Sequence, residues 1–207
     1  MAAIILAAGR SRRMGAFKPL LPFPSGRTAV EACVESLRAG GVGEVVVVVG
    51  HRAEEVRAAL KGVPVRFAVN DEPESGMGVS VARGVEQVSE GVRAVLVGLV
   101  DQPAVTPEDV RAVTEARART GARLVVPTWE GRGGHPVLVD LEFREALLGA
   151  VPREGLRALF DAHRAEVLRL PAASGYVARD MDTWEDYRAL YAEVFGAAPP
   201  DGWRNVV

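Results

Sequence analysis

The sequence predicts a three-layer α/β fold with a mainly parallel sheet, and three observations predict it. Apolar, largely β-branched runs without helical period recur at residues 2–7, 44–49 and 94–100, as expected of strands covered on both faces. Segments with helical spacing separate them, which indicates βαβ units with right-handed crossovers. The chain has 207 residues, 48% hydrophobic and 25% charged, enough for one substantial core.

Residues 2–7 make the first strand, and Gly9 ends it. No helix follows at once. Gly15, Pro19, Pro22, Pro24 and Gly26 hold the chain out of regular structure until about Thr28, a connection of roughly twenty residues where ~4–6 is usual. Met14, Phe17, Leu20, Leu21 and Phe23 supply apolar anchors that argue against disorder. Helix 28–39 then precedes strand 44–49, helix 52–60, strand 63–69, helix 79–88 and strand 94–100. Helix 107–120 follows, with Thr106 as its N-cap and Pro107 in the first turn. Strands at 123–126 and 136–139 flank a Gly-rich connection. Helical segments at 141–148 and 154–163, a last strand at 167–170 and a helix at 183–195 complete the pattern. Residues 1–195 read as one domain and 196–207 as a C-terminal tail, ordered only if Trp203 docks.

Composition narrows the classes of function. No apolar stretch reaches the ~18–20 residues of a membrane span, and the start lacks the charged flank of a signal peptide. A cytoplasmic protein without membrane or nucleic-acid partners is expected. Cys33 is the single cysteine, and on an amphipathic helix without a basic neighbour it reads as a buried structural thiol.

Charge is distributed unevenly. The net charge is −2, yet residues 1–30 carry Arg10, Arg12, Arg13, Lys18 and Arg27 and no acidic residue. These lie on the long loop after the first strand, where glycines permit close backbone approach and guanidinium forks can grip phosphate. Neither the dinucleotide fingerprint nor the Walker A spacing is present. A polyphosphate site is the reading that the anchored, glycine-containing loop favours over a solvated basic fringe.

In open parallel sheets ligands bind beyond the carboxyl ends of strands. Asp101-Gln102-Pro103 follows strand 94–100 and suits an oxygen-ligated Mg²⁺ as well as a turn. Asp180 and Asp182 alternate ahead of the last helix, although Asp182 or Thr183 also serves as an N-cap. Gly76-Met77-Gly78-Val79-Ser80 opens helix 79–88, with glycines for a close ligand and Ser80 for a base. His135 is fixed between Gly134 and Pro136, one histidine that a turn explains equally well. No nucleophile elbow and no metal-ligand spacing of histidines is found. The combination points to metal-assisted nucleotidyl transfer.

The segment Leu6-Ala7-Ala8-Gly9-x-Ser11-x-Arg13-Met14-Gly15-x-x-Lys18-x-Leu20-Leu21-Pro22 resembles the signature loop of the MobA-like nucleotidyltransferases. With Gly76-Met77-x-x-Ser80, Asp101-Gln102-Pro103, Gly134-His135-Pro136-Val137 and Asp180-x-Asp182-Thr183, it is most similar to the MocA branch, the molybdenum cofactor cytidylyltransferases. The resemblance implies a Rossmann-like α/β/α nucleotidyltransferase fold and transfer of CMP from CTP to the phosphate of molybdopterin cofactor. By matching position, Leu6, Ala7, Ala8 and Gly9 would contact the nucleotide, Arg13 and Lys18 its phosphates and Ser80 its base. Arg13, Lys18 and Asp101 would be catalytic, Asp101 and Asp182 would hold Mg²⁺, and Gly76, Met77, His135 and Pro136 would meet the acceptor. Ala8, where guanylyltransferases of the family usually carry glycine, favours CTP over GTP. Residues 71–75 lack an aromatic common in the family. The resemblance also admits GTP or another phosphate acceptor, a MocA-like oxidoreductase, and a silent factor delivering cofactor to a molybdenum hydroxylase, a transient partner.

Overall fold

The computed structural model describes residues 1–72, 75–149 and 151–200. Strands β1 (Ala2–Leu6), β4 (Glu44–Val49), β5 (Arg66–Val69) and β6 (Ala94–Leu99) form the parallel body of the main sheet. On the far side of β6 come β9 (Val137–Asp140), β7 (Leu124–Trp129) and β10 (Val167–Pro171). The order is β10-β7-β9-β6-β1-β4-β5, with the short β8 (Arg132–Gly133) folded back on β7. β9 runs antiparallel to both neighbours, while β7 and β10 pair in parallel. The direction of β9 and the β7/β8 hairpin are not legible from strand periodicity.

Helices cover both faces because the strands are apolar on both. Helices α1 (Ala29–Ala39), α2 (Ala53–Ala59) and α4 (Pro107–Thr120) close one face, where Val30, Val34, Val56, Val110 and Val113 meet Ile5, Val47 and Leu96. Helices α3 (Met77–Glu86), α5 (Arg144–Gly149), α6 (Val151–Glu154) and α7 (Leu156–Ala162) close the other, packing Val81, Val85, Leu147 and Val151 against Ile4, Val46 and Val95. The helix expected at 154–163 is α7, which starts two residues later because Gly155, at φ 84°, is its N-cap, and the short α6 ends just before it at Glu154. Helix α3 starts two residues before its expected position, with Gly76 at φ 90° as its N-cap.

The long basic loop is less irregular than its prolines and glycines suggest. It contains a 3-10 turn at Lys18–Leu20 and a hairpin of β2 (Pro22–Phe23) with β3 (Arg27–Thr28), turned by Ser25 and Gly26 at positive φ. Thr28 then caps α1 through a reciprocal pairing with Glu31. Among the described residues no helix is long and apolar enough to cross a membrane. Trp203 and the segment 201–207 lie outside the described residues, as do Pro73 and Glu74 of the departure at 71–75.

Candidate active site

The sheet order fixes where a ligand can enter. From β1 the chain builds outward through β4 and β5 on one side, then returns to place β6 on the other. The carboxyl ends of β1 and β6 therefore flank the topological switch point, where crossovers diverge and leave a crevice. A cleft of about 330 Å³ opens there, lined by Leu6, Ala8 and Gly9 after β1, Leu99, Val100 and Asp101 after β6, and Gly76, Met77 and Ser80 from α3. Ser11, Arg12, Arg13, Lys18 and Pro19 of the loop complete it. A Cβ at Gly9 would meet nothing within 4 Å, so its backbone faces open space.

Two local devices hold the loop over the cleft. Ser11, at φ 53°, accepts the N–H groups of Met14 and Gly15 on its carbonyl and that of Lys18 on its hydroxyl oxygen at 3.0 Å. Phe17 enters the core and carries His51 edge-on at 5.6 Å, with the Arg52 guanidinium 5.1 Å from the ring centre. The other side of the loop makes a small core of its own. Met14, Ala16, Leu21 and Phe23 pack with Met181, Tyr187, Leu190 and Tyr191, and the Tyr187 hydroxyl donates to the Pro22 carbonyl at 2.7 Å. Most of these partners belong to α8 (Trp184–Phe195), so the C-terminal helix docks the segment before it against the basic loop.

That docking assembles a charge cluster from three distant stretches of sequence. Lys18 is buried, with Nζ 2.7 Å from Asp182 Oδ1 and 3.2 Å from Asp101 Oδ2. Arg13 reaches the second oxygen of Asp182 at 2.6 Å. The Met181 N–H donates to the Asp101 carbonyl at 2.9 Å, stitching the two carboxylate segments together. Thr183, not Asp182, caps α8, through a reciprocal pairing with Asp186, which leaves Asp182 to the site. Asp180 is drawn aside by the Gln102 amide, which donates to it at 2.7 Å.

The two carboxylates have opposite electrostatics. Burial raises the Asp101 pKa above the ordinary carboxylate range, outweighing the nearby Lys18 cation. Asp182 is more open, and the hydrogen bond from Lys18 lowers its pKa. Asp101 Oδ1 is buried with no hydrogen-bond partner among the described residues. A buried acceptor in that state is costly unless a donor or cation completes it. Among the described residues no group of three or more His, Cys, Asp or Glu is arranged to hold a metal. Asp101 and Asp182 are two carboxylates of the hard-oxygen kind by which Mg²⁺ is typically held together with substrate phosphates.

Some expected residues stand apart from the cleft. The Ala7 N–H donates to the Val48 carbonyl at 2.9 Å and its side chain lies in the core, so it extends the sheet and does not line the cleft. His135 and Pro136 line a small separate pocket with Cys33 and Gln102. The His135 Nδ1 bonds the Val97 carbonyl at 2.9 Å, which requires the proton on that nitrogen, and burial lowers its pKa, keeping the ring neutral. Gly78 serves packing rather than a ligand, since a Cβ there would fall 2.0 Å from the Val151 carbonyl oxygen. Cys33 is buried and its thiol is pushed up to about 12, chiefly by desolvation.

Two residues that contact the cleft lining escaped sequence reasoning. Asn70 follows β5, is buried, and donates from its amide to Ser80 Oγ at 2.9 Å. Gly50 follows β4, and a Cβ there would meet the Asn70 carbonyl oxygen at 2.7 Å and the Ala8 Cβ at 3.0 Å. Both stand just past strand ends, so applying the strand-end rule to every strand, β4 and β5 included, would have found them.

A crevice at the switch point of an α/β/α sheet, with a basic loop on one lip and a strand-end carboxylate on the other, fits the class of NTP transferases. The chain belongs to the MobA-like family within it, for the model of the MobA-like NTP transferase domain matches residues 3–167. Its relatives include nicotine blue oxidoreductase of Paenarthrobacter nicotinovorans, 33% identical over 90% of this chain and 95% of that protein. They also include a probable molybdenum cofactor guanylyltransferase of Mycobacterium bovis, 33% identical over 84% of each chain. Among solved structures, Rv0371c from Mycobacterium tuberculosis superposes with a TM-score of 0.81 at 28% identity, covering 92% of this chain and 96% of that one. The same protein has been solved in complex with manganese, and that structure matches with a TM-score of 0.76 at 27% identity over 92% of this chain and 97% of that one.

Proposed function

We propose that this chain transfers CMP from CTP to the phosphate of molybdopterin cofactor, releasing pyrophosphate, with Mg²⁺ assistance. The observation that carries the reading is the bridge of Lys18 between Asp101 and Asp182 at the mouth of the switch-point cleft. Phosphate-binding cations and cation-binding carboxylates are already side by side there. Asp101 and Asp182 would hold the Mg²⁺, which supplies charge neutralisation and polarisation at the α-phosphate. Arg13 and Lys18 neutralise the triphosphate oxygens, and Ser80 and the backbone at Ala8 and Gly9 hold the nucleoside. Gly76 and Met77 line the cleft where an acceptor would enter, while His135 and Pro136 line the separate small pocket. In this reaction an acceptor phosphate oxygen bonds to the α-phosphorus as the bond to the β-phosphate oxygen breaks. The chain contributes alignment and electrostatics, with no covalent intermediate on a side chain. Residues 1–195 act as the unit, in the cytoplasm, and 196–207 as its tail.

CTP is the preferred nucleotide because Ala8, which lines the cleft, carries a methyl where guanylyltransferases of the family usually carry glycine. A second reading has its own support in the identity with nicotine blue oxidoreductase along almost that protein's whole length. Pyrophosphate release, measured with CTP and GTP, each with Mg²⁺ and molybdopterin cofactor, separates the two. CTP-dependent release supports the cytidylyl assignment, and a GTP preference moves it to guanylyl transfer. No release with either nucleotide, together with reduction of an acceptor dye by a nicotinamide cofactor, would overturn it in favour of redox work.

A further inference from the structure

We propose that Asn70 is a positioning residue that fixes the hydrogen-bond polarity of Ser80, so that Ser80 presents a donor, not an acceptor, to the nucleotide base. The inference rests on the nucleotide reading of the cleft. Its starting point is the direction of two hydrogen bonds. The Glu72 N–H donates to Asn70 Oδ1 at 3.0 Å, and a main-chain N–H can only donate, so the amide oxygen is turned toward Glu72. The amide nitrogen is thereby turned toward Ser80 Oγ, at 2.9 Å, and must donate to it. A hydroxyl that accepts in this way keeps its own proton for another partner. Ser80 Oγ has no second partner among the described residues, and Ser80 lines the cleft.

Asn70 is placed to impose this order. It is only 2% exposed, its own N–H donates to the Val49 carbonyl at 2.8 Å, and its carbonyl oxygen lies against Gly50. That contact admits no Cβ at Gly50, which would also meet the Ala8 Cβ at 3.0 Å, and Ala8 lines the cleft as Ser80 does. Asn70 touches no reacting atom, and its influence on the nucleotide passes through the Ser80 hydroxyl. The pair selects bases that offer an acceptor, a ring nitrogen or carbonyl oxygen, at that point of the wall.

The substitution Asn70→Asp tests the polarity directly. The carboxylate has the same shape as the amide and still accepts from Glu72, but its second oxygen takes the Ser80 proton, and the serine then faces the base with lone pairs. Dissociation constants for CTP and for inorganic triphosphate, both with Mg²⁺, separate base recognition from phosphate binding. In Ser80→Ala and in Asn70→Asp we expect CTP to weaken about 10-fold, with inorganic triphosphate unchanged within about twofold. In the double variant the two losses do not add, because Asn70 acts only through Ser80. Asn70→Ser, too short to reach Ser80 and uncharged, frees the Ser80 hydroxyl to rotate without capturing its proton, so it weakens CTP in the same selective pattern but less, about threefold, and serves if the aspartate variant does not fold. Equal losses on both ligands, additive losses, or unchanged CTP affinity in Asn70→Asp and Asn70→Ser would overturn the proposal. A wild-type protein that binds no nucleotide overturns the nucleotide reading with it. Wild-type binding with insensitive Asn70 variants overturns the positioning role alone.

Discussion

Replacing Asp101 with asparagine removes a charge while keeping the shape of the side chain. Burial holds this carboxyl above its ordinary range despite Lys18 at 3.2 Å, and one of its oxygens has no partner among the described residues. A carboxyl whose folded pKa exceeds its unfolded pKa loses stability as pH rises through that window, since the unfolded chain releases the proton more readily. The neutral amide escapes this penalty. Lys18 keeps Asp182 at 2.7 Å, so the ammonium is not stranded. The amide still leaves a polar atom in the unpaired place, so only the cost of the buried charge is relieved; set against the lost ion pair with Lys18, this leaves a gain on the order of 1 kcal/mol at pH 7. For a chain of this size that raises Tm by about 2–4 °C, and the difference vanishes below roughly pH 4, where both states are protonated. Loss of one preorganised electrostatic contact costs about 10²–10³ in rate, so pyrophosphate release falls by about 100-fold or more. Thermal melts from pH 4 to 8, run beside the release assay, report both effects. A variant that melts below the wild type at pH 7, or turns over within about threefold of it, would show Asp101 to be a structural partner of Lys18 and refute the reasoning.

Asp182 has the opposite sign. Lys18 lowers its pKa, so its contribution is present above the unfolded carboxylate value and is lost as pH falls through the folded one. Asp182→Asn should cost about 0.5–1 kcal/mol at pH 7, screened by its partial exposure, with the difference from wild type closing as pH falls below the carboxylate range in acid denaturation monitored by circular dichroism. Gly50→Ala drives a Cβ to 2.7 Å from the Asn70 carbonyl oxygen. Overpacking there should cost about 1–3 kcal/mol in urea unfolding and weaken CTP more than inorganic triphosphate, while equal weakening of both would place the distortion elsewhere. Cys33, with its thiol pushed up to about 12, should resist a thiol reagent at pH 8 in the native state and react fully in denaturant. Rapid native labelling would contradict its burial.

Much of the fold was legible because its strands are apolar on both faces and its helices announce their starts. Thr28, Thr106 and Thr183 each cap a helix with an acidic partner three residues on, and each pattern is local. The antiparallel insertion of β9 was not legible, since a four-residue apolar strand carries no mark of its direction. Nor was the exact start of α7, since helical spacing continues back across Gly155, whose φ of 84° no helix accepts.

The site divides along the same line. By itself the sequence determined a basic, glycine-bearing loop after the first strand, a carboxylate after β6, and a family resemblance that the match over residues 3–167 shows. The tertiary structure decided which of the five loop cations matter to the carboxylates. Lys18 and Arg13 meet Asp182 because α8 packs Tyr187 and Tyr191 onto the hairpin within the loop. It also decided that Ala7 belongs to the sheet, that His135 lines a separate small pocket, and that Asn70 and Gly50 contact the cleft residues Ser80 and Ala8. Charge and conformational preference are carried by each residue in the chain. Proximity between residues 18, 101 and 182 exists only once strand order and helix packing have brought three loops to one end of the sheet.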